Sequence, residues 1–374
     1  MNLSPQQDAA LLAVSRWLKA GRPQVFRLFG YAGTGKTTLA RKIADDVEGD
    51  VLFAAFTGKA AQVMRNKGCA DARTLHSLIY RPRGEKPEKE TGELQPTFSL
   101  NRASSVAKAK LVIIDECSMV DEKLGRDLLS FGAPILVLGD PGQLPPVKSG
   151  EGGGGFFTEH EPDVMLTEVH RQARDNPIIA LAQEVREGGP PEYGRYGESR
   201  VIGRDDVDAE LVLSADQVLV GMNRTRQGYN RRIRALKGFD GALPAAGDKL
   251  VCLRNSSEKG LLNGGLWRVS SVGTRAGLAV NMLVKSEEDG PLAASAKIRV
   301  LKAMFEEGPE AVAWERRRRT DEFDYGYALT VHKAQGSQWD KLVLFDESFA
   351  FRETRDRWLY TAITRAAETI TIVR

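Results

Sequence analysis

Short apolar runs alternate with amphipathic stretches through the first half of the chain. Val25–Phe29 is an apolar run of strand length, and in Thr37–Val47 the apolar residues recur at helical spacing. Val51–Phe56, Leu111–Ile114 and Ile135–Leu138 are further apolar runs. Strands that are apolar on both faces and joined by helices indicate a parallel sheet covered on both sides.

The second half repeats this pattern around a different stretch. Predicted strands are Val218–Met222, Leu342–Phe345 and Thr369–Val373, and predicted helices are Arg224–Leu236 and Arg357–Ala366. Between them the pattern changes to short β-like runs, which predict a small β-barrel inserted in the second half: Lys249–Leu253, Leu266–Val272, Ala279–Val284 and Lys297–Val300.

Two polar segments interrupt the first half. Arg81–Pro96 is charged and rich in Pro and Gly, which is typical of an exposed hairpin and equally of a disordered surface loop. Lys148–Gly155 contains four consecutive glycines and predicts a flexible hinge or linker, because glycine leaves the backbone almost unrestrained.

Composition narrows the class of protein. The 374 residues suggest two or three globular units, and 42% hydrophobic with 28% charged residues excludes a disordered chain. No apolar run approaches the roughly 18–20 residues of a membrane helix, and the first residues do not resemble a signal peptide. Three scattered cysteines indicate a reducing cytoplasm, and a net charge of +3 requires any nucleic-acid contact to come from local grooves.

The sequence from Gly30 to Thr37 fits GxxxxGK[ST] between a predicted strand and a predicted helix. Glycines allow consecutive backbone N–H groups to surround phosphate oxygens, and the helix N-terminus adds partial positive charge. Lys36 is then expected to reach the terminal phosphates and Thr37 to bind Mg²⁺. In this context a plain glycine turn before a helix is a poor explanation.

A third predicted strand ends in Asp115 and Glu116. Ligands of open α/β sheets bind at the carboxyl ends of the strands, so both carboxylates are expected to face the phosphate loop. Asp115 suits the Mg²⁺ shell, and Glu116 suits orienting and deprotonating a water molecule that attacks a phosphate.

Seven further blocks extend over most of the chain, namely Leu3–Gln7, Ala55–Ala61, Thr74–Leu78, Gly139–Val147, Leu166–Gln172, Leu329–Gly336 and Tyr360–Ala366. In this order they resemble the motifs of superfamily 1 helicases, and the chain is most similar to the RecD/Dda-like branch of that family. The resemblance implies an ATP-dependent DNA helicase that moves 5′ to 3′ on single-stranded DNA and unwinds duplexes, with ATP and Mg²⁺ bound between two lobes.

The resemblance also implies roles for individual residues. Gln7 would read the adenine, and Gln143 would sense the terminal phosphate. Arg171 and Arg365 would reach across from the second lobe and stabilise charge in the transition state. The remaining nucleotide contacts are expected in the phosphate loop and at the end of the block Leu329–Gly336. They are Gly30, Gly33, Thr34, Gly35, Lys36, Thr37, Thr38, Gln335 and Gly336.

The strand-binding residues implied by the resemblance are Thr57, Lys59, His76, Thr330 and His332. Phe98 follows the polar excursion and is assigned either to a pin that splits the duplex or to an anchor that holds the loop on the core. The run Arg316–Arg319 is typical of a solvated face, and Trp17, Trp339 and Trp358 are expected in the core.

The predicted fold is therefore α/β, with two RecA-like P-loop lobes, a pin insertion in lobe one and a β-barrel insertion in lobe two. The predicted boundaries are 1–79 and 107–162 for lobe one, 80–106 for the pin, 163–243 and 322–374 for lobe two, and 244–321 for the barrel. Expected partners are single-stranded DNA, junctions with duplex, and single-strand-binding or replication and recombination proteins. The expected protein is a monomer in the cytoplasm of a bacterial or phage-infected cell, associated with the nucleoid.

Two other functions stay open at this level. One is an ATP-driven translocase or remodeller that moves on a strand without strong unwinding. The other is an RNA-directed superfamily 1 helicase, because motifs that contact phosphates do not distinguish RNA from DNA. A small-molecule kinase is disfavoured, since it would need neither the second lobe nor the later blocks. The sequence leaves roles in replication, recombination and repair equally open.

Overall fold

The computed structural model describes residues 3–87, 94–145, 155–168, 176–256, 258–273, 277–287 and 294–374. Side chains are described at all of these positions except 82, 84–87 and 94–97. Arg171 and the predicted linker up to residue 154 lie outside the described residues. Among the described helices, none combines the length and apolar character needed to cross a membrane.

Lobe one is built on a parallel sheet of six strands. Their spatial order is Arg73–Thr74, Val51–Ala55, Leu111–Asp115, Ile135–Gly139, Val25–Gly30 and Val164–Leu166. The helices of this lobe are Pro5–Ala20, Lys36–Asp45, Gly58–Asn66, Leu75–Ile79 and Glu122–Leu129. The helix at Pro5–Ala20 was not predicted from the sequence. The predicted boundaries placed Val164–Leu166 in lobe two, but these residues form a strand that pairs with Val25–Gly30 of this sheet.

Alternate residues of one central strand explain why both faces of this sheet are apolar. Leu111 and Ile113 pack with the helices Pro5–Ala20 and Lys36–Asp45. Val112 and Ile114 pack on the opposite face with residues of Leu75–Ile79 and Glu122–Leu129. Successive side chains of a strand point to opposite faces, so a strand covered on both sides must be apolar throughout.

Lobe two contains a second sheet of six strands. Their spatial order is Ala328–Thr330, Gln217–Val220, Trp339–Phe345, Ala366–Val373, Ser199–Ile202 and Gly194–Tyr196, and only the last pair is antiparallel. Its helices are Pro177–Arg186, Ala209–Ser214, Asn223–Leu236 and Arg355–Ile363. The predicted α/β class with two lobes on largely parallel sheets is confirmed.

Two antiparallel elements accompany the lobes. A hairpin pairs Tyr80–Pro87 with Leu94–Leu100. A five-stranded sheet has the order Ser295–Leu301, Ala279–Ser286, Leu266–Val272, Lys249–Cys252 and Phe323–Tyr325. Short helices at Lys302–Glu306 and Trp314–Arg317 lie in the chain between the first and the last of these strands. The strand Phe323–Tyr325 was assigned to lobe two from the sequence, but it hydrogen-bonds to Lys249–Cys252 of this sheet.

A buried ion pair joins the five-stranded sheet to lobe two. Asp248 is fully buried and accepts hydrogen bonds from Arg234 Nε and Nη2, both at 2.9 Å, and from the Tyr327 hydroxyl at 2.9 Å. The amide of Ala245 completes its shell at 2.8 Å. The carboxylate therefore compensates the charge of a buried guanidinium.

Replacing Asp248 by Asn should lower the free energy of unfolding by about 3–5 kcal/mol, because it leaves the buried Arg234 without a counter-charge. Urea unfolding followed by circular dichroism measures the change. Asp240→Asn, at an exposed position, is the control and should change the unfolding midpoint little. Equal midpoints for the two variants would contradict the prediction.

Candidate functional site

The phosphate loop connects the strand Val25–Gly30 to the helix Lys36–Asp45. Gly33 and Gly35 have φ angles of +79° and +78°, a region that other residues rarely adopt. A Cβ atom on Gly30 would lie 2.6 Å from Thr34 Oγ1, so the loop also requires glycine where it leaves the strand. No side chain caps the first turn of the helix at Gly35, which leaves its N–H groups to an anion.

Lys36 and Thr37 stand at the start of that helix and contact different parts of the site. Lys36 Nζ donates to the carbonyl oxygens of Gly30 at 2.6 Å and Tyr31 at 3.0 Å, so the ammonium lies over the loop. Thr37 Oγ1 donates to Asp115 Oδ2 at 3.0 Å. A hydroxyl and a carboxylate oxygen in contact beside a phosphate loop are a donor set suited to Mg²⁺.

Glu116 follows the central strand in a strained backbone conformation. Its φ of +54° is unusual for a residue with a side chain, and its amide donates to Asp115 Oδ1 at 2.9 Å. Burial raises the pKa of Glu116 above its ordinary value, and the Arg365 guanidinium opposes part of this rise. A carboxylate with a raised pKa is a better proton acceptor near neutral pH.

Arg365 belongs to lobe two, and its side chain lies close to Glu116 of lobe one. Its Nη1 is 3.8 Å from Glu116 Oε1. Three hydrogen bonds hold the guanidinium: to the carbonyls of Thr361 at 3.1 Å and Ser337 at 3.4 Å, and to Thr364 Oγ1 at 3.2 Å. Lobe two thus orients the Arg365 guanidinium, which points toward the Glu116 carboxylate of lobe one.

A cavity of about 350 Å³ lies between the lobes at this point. Gln143 is buried beside it, and its Oε1 accepts no hydrogen bond from the described residues. Predicted site residues that line the cavity are Gly33, Gly35, Lys36, Thr37, Thr38, Asp115, Glu116, Gln143, Gly336 and Arg365. The structure therefore brings together most of the predicted nucleotide site.

Gln7 and Gln335 lie elsewhere. Gln7 is buried behind the phosphate loop, where Nε2 donates to the Thr34 carbonyl at 3.0 Å and Oε1 accepts from the Ser4 amide at 3.1 Å. It caps its own helix and supports the loop instead of lining the cavity. Gln335 lines a larger groove and donates to the Leu144 carbonyl at 3.2 Å.

This larger groove, of about 990 Å³, runs past both lobes and the five-stranded sheet. It is lined by all five strand-binding residues predicted within the motif blocks: Thr57, Lys59, His76, Thr330 and His332. Burial lowers the pKa of both histidines, so their imidazoles are neutral near pH 7. Neutral rings in a polar groove suit stacking and hydrogen bonding more than charge pairing with phosphates.

Other groove residues were not singled out from the sequence. Lys333 and Arg226 line the groove, and burial lowers the pKa of Lys333. Arg226 is ion-paired with Asp324 and Glu310, so its charge is compensated. Lys333 lies inside a motif block and could have been found there, whereas Arg226 stands in a basic helix with no local signal.

Phe98 lies outside the groove lining. It is on the hairpin strand Leu94–Leu100, opposite Pro82, and its side chain is 55% exposed. An anchor in the core would be buried, so exposure favours the pin assignment. Of the predicted core tryptophans, Trp17 and Trp358 are buried.

Comparisons with known proteins identify the family of the chain. A family model described as an AAA domain matches residues 2–204, and one described as a UvrD-like helicase C-terminal domain matches residues 325–373. The chain is 30% identical over 368 residues to the ATP-dependent RecD2 DNA helicase of Deinococcus radiodurans, covering 91% of this chain and 46% of that protein. It is 33% identical over 198 residues to the ATP-dependent DNA helicase dda of Enterobacteria phage T4, covering 50% of this chain and 43% of that protein.

Among solved structures, the chain is similar to a Bacteroides Pif1 bound to ssDNA, with a TM-score of 0.62 and 20% identity over 99% of this chain and 92% of that one. At this identity the likeness concerns the fold, and it supports two RecA-like lobes. The chain spans less than half the length of the two curated relatives above. The AAA-domain model covers more than half of the chain, and the UvrD-like helicase C-terminal model and the two helicase relatives identify the family. The chain therefore belongs to the superfamily 1 helicases, in their RecD/Dda-like branch.

Proposed function

We propose that this chain is an ATP-dependent DNA helicase that moves 5′ to 3′ along single-stranded DNA and unwinds duplex ahead of it. The observation that carries the proposal is the shared cavity, in which Arg365 of lobe two lies 3.8 Å from Glu116 of lobe one. Hydrolysis in such a cavity depends on the distance between the lobes. The groove beside it spans the same two lobes, so a change in that distance would also move a bound strand.

In the proposed reaction, a water oxygen bonds to the terminal phosphorus of ATP while the bond to the bridging oxygen breaks. Glu116 accepts the proton of the water. Gln143 orients that water with its amide oxygen, which accepts no hydrogen bond from the residues that the structure describes. Lys36 and Arg365 neutralise charge on the phosphate oxygens. Thr37 and Asp115 would hold Mg²⁺, which supplies further neutralisation of the phosphates.

Single-stranded DNA would lie in the groove lined by Thr57, Lys59 and His76 of lobe one and by Thr330 and His332 of lobe two. Polar and cationic groups would contact the phosphates, and the neutral rings would contact bases. Arg171 keeps its proposed role as a second arginine at the phosphates. The 5′ to 3′ polarity rests on kinship with the RecD/Dda-like branch.

We place the protein in the cytoplasm at the nucleoid, as a monomer that acts on junctions of single- and double-stranded DNA with single-strand-binding or replication and recombination proteins. Kinship with bacterial and phage DNA helicases supports this setting. The predicted domain boundaries are retained with two changes: lobe one is extended to Leu166, and the five-stranded sheet is extended to Tyr325.

Strand displacement tests the proposal. Matched duplexes with a 5′ tail, a 3′ tail or a 5′ RNA tail are incubated with ATP, and Lys36→Ala serves as the inactive control. We expect displacement from the 5′ DNA tail alone. Displacement from the 3′ tail would overturn the polarity, and equal action on the RNA tail would indicate an RNA-directed enzyme. DNA-stimulated hydrolysis without any displacement would indicate a translocase.

Phe98→Ala should lower the rate of strand displacement several-fold and leave DNA-stimulated ATP hydrolysis nearly unchanged, because an exposed ring on the hairpin is free to contact a base pair but lies outside the nucleotide cavity. Displacement and hydrolysis are measured on the same preparation. Tyr193→Ala removes another exposed aromatic ring, 66% exposed in lobe two, and should alter neither rate. Equal losses in both rates for Phe98→Ala would make Phe98 a folding residue.

A further inference from the structure

The loop from Asp140 to Leu144 belongs to lobe one but is held at both ends by lobe two. At one end, the Tyr360 hydroxyl donates to Asp140 Oδ2 at 2.7 Å. At the other, the Leu144 amide donates to Thr361 Oγ1 at 2.9 Å, and the Leu144 carbonyl accepts from Gln335 Nε2 at 3.2 Å. Leu144 itself is buried in the core of lobe two. Gln143 lies between these two attachments, so lobe two determines where its side chain stands.

Tyr360 also contacts the phosphate loop. Its hydroxyl accepts a hydrogen bond from the Ala32 amide at 3.0 Å. The adjacent Tyr31 ring lies under the Arg186 guanidinium of lobe two, 3.7 Å from its centroid. One phenolic oxygen thus joins the phosphate loop, the loop that carries Gln143, and the helix Arg355–Ile363.

The packing around Tyr360 leaves it little freedom. The side chain is 2% exposed, and a Cβ atom on Gly142 would approach its ring to 3.0 Å. Asp140 Oδ1 accepts from the Gly142 amide at 3.0 Å, which fixes the carboxylate that receives the phenol. Burial and the Asp140 carboxylate raise the pKa of Tyr360, so the phenol keeps its proton. Because the phenol of Tyr360 is held this firmly, its hydroxyl moves together with the helix Arg355–Ile363.

We propose that Tyr360 is a positioning residue that couples strand binding to ATP hydrolysis. A strand in the groove contacts lobe two; any resulting shift of the helix Arg355–Ile363 moves the Tyr360 hydroxyl, and with it the phosphate loop and the loop that carries Gln143. Arg365 follows the same helix in the chain. One shift of this helix therefore moves the guanidinium and the two loops together into their positions for hydrolysis. The inference rests on the proposed function, because it assigns a cause to DNA-stimulated hydrolysis.

The chain offers a matched control. Tyr327 is also buried, and its hydroxyl also donates to a carboxylate, Asp248 at 2.9 Å, and accepts from a backbone amide, that of Lys249 at 3.1 Å. None of these three residues lines the nucleotide cavity. Tyr327→Phe therefore removes the same two kinds of hydrogen bond as Tyr360→Phe but leaves the attachments between the lobes intact.

The experiment measures ATP hydrolysis by wild type, Tyr360→Phe and Tyr327→Phe with and without single-stranded oligothymidylate. We expect Tyr360→Phe to lower the DNA-stimulated kcat about tenfold, the effect of one hydrogen bond to a charged group, with little change in the KM for ATP. Tyr327→Phe should keep the wild-type kcat while losing comparable thermal stability. Asp140→Asn should lower kcat as Tyr360→Phe does, and the double variant should lose no more than either single variant.

The outcomes separate the two proposals. Equal kcat losses in Tyr360→Phe and Tyr327→Phe, or a full DNA response in Tyr360→Phe, would overturn the coupling role and leave the proposed function standing. A wild type that hydrolyses ATP at one rate with and without oligothymidylate would also overturn the coupling role alone. A wild type with no hydrolysis would overturn the proposed function and the coupling role with it.

Discussion

Replacing Glu116 by Gln is expected to lower ATP hydrolysis by about 10²- to 10⁴-fold while ATP and single-stranded DNA still bind. The amide has nearly the same shape but does not accept the proton of the attacking water. The contacts that bind nucleotide lie on other residues, since Lys36 and Thr37 keep their positions at the helix start. Phosphate release with oligothymidylate gives the turnover, and a fluorescent ATP analogue gives the affinity.

Glu122→Gln is the control for this substitution. Glu122 is six residues further along the chain, and its carboxylate forms an exposed pair with Arg126, so its loss should leave hydrolysis unchanged. Normal turnover in Glu116→Gln would refute its assignment as the base. In the wild type, hydrolysis should fall as pH decreases through the pKa of Glu116, and because burial raises that pKa, this decline should lie above the ordinary value of 4.5.

Replacing Arg365 by Ala is expected to lower hydrolysis by about 10³- to 10⁵-fold, the effect of an arginine supplied to the transition state of phosphoryl transfer. Lysine at position 365 should restore little of the lost hydrolysis, because a compact ammonium does not reproduce the planar guanidinium. Thr361, Ser337 and Thr364 hold that guanidinium in place. Removing the guanidinium also withdraws the charge that lowers the pKa of Glu116, so residual activity should decline at a higher pH than in wild type.

Arg352→Ala supplies the comparison, since Arg352 is an exposed arginine of the same lobe. It should keep wild-type hydrolysis. Steady-state kinetics distinguish the assigned role from a binding role. A large rise in the KM for ATP with an unchanged kcat would show that Arg365 binds the ground state, and that result would contradict its assignment to the transition state.

Local chemistry made much of this arrangement predictable. The strands Leu111–Asp115 and Ile135–Gly139 could be found because burial on both faces demands continuous apolar residues. The phosphate loop could be found because Gly33 and Gly35 must adopt positive φ. Both features are determined by a few consecutive residues.

Features that depend on distant residues escaped prediction. Val164–Leu166 is too short to carry a pattern and becomes a strand only by pairing with Val25–Gly30. Phe323–Tyr325 reads equally well as part of either neighbouring sheet, and its register with Lys249–Cys252 decides between them. Gln7 lies in a block that implies adenine contact, and its hydrogen bond to the Thr34 carbonyl, 27 residues further along the chain, is formed by tertiary packing.

The burial of Leu144 within lobe two bears on whether the halves of this protein are autonomous folding units. A fragment ending after lobe one would expose an apolar side chain and leave its amide and carbonyl to water, so the loop that carries Gln143 would lose its conformation. Such a fragment would retain a phosphate loop and bind nucleotide as an ordinary P-loop domain. The machinery that senses the terminal phosphate, by contrast, is a property of the assembled chain.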